Sequence, residues 1–103
     1  MTFEIILAPE AANSLRNLPA HVRAEVRDAI EVHLRHEPTK VSKSRIKRLR
    51  GLSQPQFRLR VGDIRVFYDV TETTVEILAI VEKREAQVWL DEKGTPAAGG
   101  STR

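Results

Sequence analysis

Apolar residues recur every fourth position across the second quarter of the chain: Val22, Val26, Ile30 and Leu34. Ala29 and His33 flank this stripe, while Arg23, Arg27, Asp28, Glu31 and Arg35 lie off it. That spacing predicts an amphipathic helix over residues 20–36 with one core-facing stripe, ended by Pro38. Ahead of it, Ala11, Ala12, Leu15 and Leu18 fall at helical spacing behind Pro9. A proline costs nothing in the first turn of a helix, where its missing N–H has no intrahelical acceptor. Leu18-Pro19 interrupts the pattern, so two helices joined by a very short connection form an antiparallel hairpin. The short, Ile-rich run at residues 3–7 reads as a first strand.

The period changes to two further on. Phe57, Leu59 and Val61 alternate with Arg58 and Arg60, and Ile64, Val66 and Tyr68 alternate with Arg65, Phe67 and Asp69. These are strands with one apolar and one polar side, joined by a tight turn at Gly62-Asp63. Thr71-Glu72-Thr73 makes the next turn, and the nearly continuous apolar run at residues 75–81 is expected to be the most buried strand. Residues 82–90 read as a short helix or an irregular return, and residues 93–103 as a disordered tail. The fold class is therefore α+β, with an N-terminal strand, a helical hairpin and a three-stranded antiparallel meander. It forms one domain over residues 1–92, the helices packed on one sheet face. The opposite face is expected to be open and to carry Arg58, Arg60, Arg65 and Phe67.

Composition narrows the class. A chain of 103 residues, 41% hydrophobic and 30% charged, is one globular domain rather than a disordered segment. The absence of cysteine excludes disulfides, thiolate metal sites and thiol nucleophiles, and fits a reducing cytoplasm. The first residues lack a basic segment ahead of a signal-like apolar run, and no run approaches membrane-spanning length, so a cytoplasmic protein without a membrane partner is expected. A net charge of +3 says less than where the charge sits. Residues 40–50 contain Lys40, Lys43, Arg45, Lys47, Arg48 and Arg50 and no acid.

Residues two apart on a strand share a face, so Arg58 and Arg60 project together, and pairing across Gly62-Asp63 brings Arg65 near Arg60. Like charges side by side destabilise a sheet. A cluster kept despite that cost points to an anionic ligand, and the forked guanidinium suits phosphate. Phe67 and Trp89 add flat rings that can stack on unpaired bases. The alternative is an ordinary solvated face, with these arginines paired to Asp63, Asp69 or Glu76. His33 and His36 stand at a metal-binding spacing but lack a further ligand. No catalytic triad, phosphate-binding glycine loop or paired metal carboxylates can be made out, and no cofactor is expected. Tyr68 falls on the apolar side of its strand, as a core residue rather than an acid.

The stretch Leu49-Arg50-Gly51-Leu52, followed by the alternating residues 57–70, resembles the RelE/ParE superfamily of type II toxins. There a Leu-Arg-Gly loop precedes a basic strand, a turn and an Arg-apolar-apolar-Tyr strand. Residues 75–81 and Lys83-Arg84…Val88-Trp89 resemble its last strand and terminal motif, so the likeness spans residues 3–90. It implies a cytoplasmic toxin held by a cognate antitoxin. In the RelE-like branch, which the motifs favour, it implies metal-independent cleavage of mRNA on the ribosome. Arg58, Arg65 and Arg84 match the family's catalytic arginines. Lys43, Arg45, Lys47, Arg48, Arg50, Arg60, Phe67, Lys83 and Trp89 would bind RNA. Two positions depart from the pattern: Gln56 stands where such toxins can carry a catalytic lysine, and Trp89 where they often carry a catalytic tyrosine. An indole N–H donates a hydrogen bond but does not titrate usefully. These departures leave open a ParE-like inhibitor of DNA gyrase, or a homologue that only binds its antitoxin or RNA. They also leave no residue as general base, Lys83 being the nearest candidate.

Overall fold

The computed structural model describes residues 1–97. Strand β1 (Glu4–Leu7) leads into helix α1 (Pro9–Asn17), with Pro9 in the first turn, and then into α2 (Ala20–Ala29). Strand β2 (Ile46–Arg48) precedes β3 (Leu52–Gln54), β4 (Phe57–Val61), β5 (Ile64–Val70) and β6 (Thr74–Glu82). Helix α3 (Lys83–Lys93) and the short β7 (Thr95–Pro96) follow. The main sheet has the order β1-β6-β5-β4-β2, antiparallel throughout except for the parallel pair β1 and β6. The α+β meander expected from the alternation is present, with the helical hairpin on one of its faces.

The four-residue repeat in the second helix has a structural consequence. An α-helix turns about 100° per residue, so a strict repeat of four drifts by about 40° at each step. The chain answers by widening into a π-helical segment, Ile30–Leu34, directly after α2. The wider turn offsets the drift. Val26, Ile30 and Leu34 all stay buried, packed with Ala11 and Leu15 of α1 against Ile46, Leu59, Val66, Tyr68, Val75 and Ile77 of the sheet. Each such side chain removed from water stabilises the fold by about 1.5–3 kcal/mol.

Three expectations need correction. The most continuously buried strand is β5, where residues 64–68 are all buried, rather than residues 75–81. The reason is that the outer face of the sheet is not open over β5 and β6: α3 lies across it and covers Phe67 and Ala79. Within residues 40–55, where the sequence pattern predicts no strand, Ile46–Arg48 pairs with β4 and Leu52–Gln54 pairs with β7. The expected tail therefore begins with ordered chain, since α3 continues to Lys93, and Ala97 N–H donates to the Gly51 carbonyl at 3.0 Å. Residues 98–103 of that tail lie outside the described residues.

Candidate functional site

The β4–β5 hairpin turns at Gly62, whose φ of 58° is the left-handed conformation that a two-residue hairpin loop requires. This turn sets the register. Arg60 stands directly opposite Arg65, and Arg58 opposite Phe67. On the other side of β4, Lys47 faces Arg58, and Arg45 joins Arg60 through an Arg60 N–H to Arg45 carbonyl bond of 2.8 Å. Ser42 fixes the entry to β2, its Oγ accepting from the N–H groups of Arg45 and Ile46 at 3.0 and 3.1 Å. Ile46, Leu59 and Val66 face the core, so the alternation sends Lys47, Arg58, Arg60 and Arg65 to the opposite face, while Arg45, just ahead of β2, lines a cleft with His33 and Glu37 at the sheet's edge. Four cations of one face thus occupy three adjacent strands. The sequence contained the clue to β2 in its Arg45-Ile46-Lys47 alternation.

No acid answers them. Among the described residues, ion pairs join Arg35 to Glu31, Lys40 to Glu37 and Arg84 to Glu82, all away from this face. Asp69 is committed elsewhere, accepting from Gln54 Nε2 and from Gln56 N–H, both at 2.7 Å. The solvated face paired to Asp63, Asp69 or Glu76 is thus not realised.

Arg58 is half-buried, and its Nε has no hydrogen-bond partner among the described residues. Its Nη2 reaches only the Ser44 carbonyl, at 3.5 Å. Burial, and then the charges of Arg65 and Arg60, hold its pKa below the ordinary guanidinium value. A guanidinium remains protonated despite such a shift, so the consequence is a cation poorly solvated by its own protein. Arg65 is only 8% exposed. Its Nη1 donates to the carbonyls of Gly62 and Ile64 at 2.9 and 3.0 Å, which pins it to the turn while leaving its charge beside Arg58.

The remaining candidates divide. Lys43 and Arg50 are exposed on the segments flanking β2. Arg48 points to the other side of its strand, its guanidinium lying over the Phe57 ring at 5.1 Å. Lys83 N–H donates to the Asp63 carbonyl at 2.7 Å, tying the start of α3 to the hairpin turn. Arg84 does not join Arg58 and Arg65. It pairs with Glu82 and lines a cleft of 610 Å³ with Leu18, Val22, Glu25 and Val61, on the side of the helical hairpin. Phe67 is 0% exposed, because Trp89 stacks on it with ring centroids 5.2 Å apart and planes 8° from parallel. The free aromatic surface expected from the sequence is occupied by the chain's own indole.

Groups able to move a proton are also placed elsewhere. Tyr68 is fully buried, donates to the Pro38 carbonyl at 2.7 Å, and has its phenol pushed well above its ordinary pKa by that burial. Gln56 is a strand clamp: its Oε1 accepts from Val70 N–H at 2.9 Å. His33 lies on the helical side, where burial and then the Arg45 charge lower its pKa. The face therefore concentrates positive charge without an acid–base pair. Sequence reasoning missed the Gln54–Asp69–Gln56 clamp, since nothing in local spacing signals a contact across 13 to 15 residues.

A family model described as the ParE toxin of the type II toxin–antitoxin system parDE matches residues 5–87. No curated protein matches the chain. Among solved structures, the toxin–antitoxin complex RelBE2 from Mycobacterium tuberculosis is similar at 27% identity and a TM-score of 0.65, over 80% of this chain and 99% of that one. The archaeal RelE–RelB complex from Pyrococcus horikoshii is similar at 24% identity and 0.66, over 81% and 97%. A mutant of the E. coli toxin RelE in the free state aligns at 20% identity and 0.65, over 86% and 92%, a likeness of fold.

Proposed function

The chain belongs to the ParE toxin family of type II toxin–antitoxin systems, and from that premise we propose that it arrests translation by cleaving mRNA held in the ribosome. The observation that carries this reading is the four-cation face centred on Arg58, whose buried Nε lacks a partner among the described residues. A buried donor left unpaired costs about 1–3 kcal/mol, more when charged. A phosphate oxygen seated there would remove that penalty and offset the repulsion among the arginines. The likeness to the RelBE2 complex supports the RelE-like target.

In this reading the ribose 2′-OH attacks the adjacent phosphorus, the bond to the 5′-oxygen breaks, and a 2′,3′-cyclic phosphate and a 5′-hydroxyl result. Arg58 and Arg60 hold the phosphate oxygens and offset the extra negative charge of the transition state. Arg65, fixed to the turn, contributes its charge and keeps Arg60 in register. The ribosome supplies in-line geometry, which is itself a large effect. The proton leaves the 2′-OH and reaches the leaving oxygen through groups outside this face. An acidic antitoxin segment would cover the same cations between episodes of activity.

One observation favours a second reading, ParE-like inhibition of DNA gyrase without chemistry. Tyr68, Gln56 and Trp89 are all engaged in packing or strand bonding, so none of the three is free to move a proton beside the arginines. Primer extension on a defined mRNA, with and without programmed ribosomes, separates the two. The proposal expects cuts only when ribosomes are present, lost in the Arg58→Ala, Arg60→Ala double variant. Intact mRNA from protein that still arrests growth, with arrest relieved by resistant gyrase, replaces it with the second reading.

A further inference from the structure

Helix α3 holds the outer face closed with little packing. None of its residues is buried, and its side-chain pairs Arg84–Glu82 and Gln87–Asp91 are local. Trp89 is the exception. Its ring lies flat on Phe67, and its Nε1–H donates to Glu10 of α1 at 2.8 Å. Open clefts of 310 and 580 Å³ border this indole on two sides, so it is seated without being enclosed. Beneath it, Phe67 is 0% exposed, although it stands directly opposite Arg58 and two residues from Arg65 on the same face. A ring adjoining a phosphate-seeking guanidinium is the arrangement that receives a nucleotide, with the base on the ring and the phosphate on the cation.

We propose that Phe67 is a stacking site for a single-stranded nucleobase and that Trp89 occupies it as a stand-in. The flat Phe67–Trp89 stack is then a closed state, latched by Glu10, and a base takes the place of the indole when α3 lifts. This rests on the reading that the cationic face binds RNA, and it adds the component that phosphate contacts alone do not provide. A base and an indole compete for one aromatic face, so the apparent affinity for RNA falls by the fraction of molecules in which Trp89 is seated.

Trp89 is the only tryptophan of the chain, so its emission reports its own environment. The purified full chain is titrated with a short single-stranded oligoribonucleotide and with an abasic strand of equal phosphate count. The base-bearing strand is expected to shift Trp89 emission to the red, and the abasic strand to bind without that shift. In Glu10→Ala the shift comes at lower strand concentration. Trp89→Ala tightens binding of the base-bearing strand about fivefold, the scale of one aromatic pair removed from the competition, and leaves the abasic strand unchanged. Trp89→Phe, which keeps a ring on Phe67 but loses the bond to Glu10, serves as the folded control and is expected to bind the base-bearing strand as Glu10→Ala does, short of Trp89→Ala. Unchanged emission at saturation, equal effects on both strands, or no binding of either strand overturns the proposal. Failure of the nuclease reading shows separately, as intact mRNA on ribosomes from protein whose Trp89 emission still responds to the base.

Discussion

At the scale of single residues, the outer face trades stability for charge. Arg60 and Arg65 stand directly opposite each other on antiparallel strands, a like-charge placement that costs about 0.2–1 kcal/mol. Arg60→Thr should therefore leave the melting temperature unchanged or slightly raised while weakening RNA binding. The logarithmic salt slope should flatten by about 0.7 for one lost contact to a single strand. A variant that melts well below the wild type would show instead that Arg60 serves the fold. Tyr68 makes the opposite case. Removing its hydroxyl in Tyr68→Phe deletes the bond to the Pro38 carbonyl and should cost about 1 kcal/mol in urea unfolding. Growth arrest should persist, because the hydroxyl faces the core. Burial raises the folded phenol above its unfolded value, so the stability it provides is present below about pH 10 and lost as the pH rises through the folded value. The alkaline decline should be shallower in Tyr68→Phe than in the wild type.

At the scale of elements, the hairpin and the third helix have different standing. Gly62 supplies the left-handed residue of the β4–β5 turn, with open space where a side chain would sit. Gly62→Ala should accordingly cost about 1–2 kcal/mol through the backbone rather than through a clash. Because the turn sets which arginines face one another, the same change should also loosen RNA binding. Helix α3 is tied at its ends, by the Lys83 bond to Asp63 and by β7 on β3, and along its length chiefly by Trp89, whereas β5 and β6 carry the core. Amide exchange should be markedly faster along residues 84–93 than along residues 64–68, as expected for a segment that opens without global unfolding. Equal protection in both would mean that α3 belongs to the cooperative core. The π-helical segment after α2 is the converse case, since Leu34 is fully buried there. Leu34→Ala should cost about 2–5 kcal/mol.

At the scale of the molecule, charge and shape are segregated. One face of the sheet is sealed by the helical hairpin, and the other is divided between a cationic half over β2, β4 and the start of β5 and a half covered by α3. No helix among the described residues is long and apolar enough to cross a membrane. Association with an acidic antitoxin segment should thus depend strongly on ionic strength, chiefly through the association rate. Raising salt from 50 to 300 mM should slow the measured on-rate more than it changes the off-rate. A complex insensitive to salt would place the antitoxin on apolar surface such as the cleft at Leu18, Val22 and Val61.

Patterns of two and four residues were enough to determine most of the architecture. The alternation of Phe57, Leu59 and Val61 with Arg58 and Arg60 dictates both a strand and a charged face, because side-chain direction in a strand follows directly from position. The Gly62-Asp63 turn then sets Arg60 against Arg65. Local pattern is silent on contacts between segments far apart in the chain. It therefore could not show that Trp89 fills the ring face of Phe67 from 22 positions away, or that Arg84 turns from Arg58 toward Glu82 and the helical hairpin. Nor could it show that Gln54 and Gln56 are spent on Asp69 and Val70. Those choices depend on which side of the sheet α3 crosses, and that is decided by packing the whole chain at once.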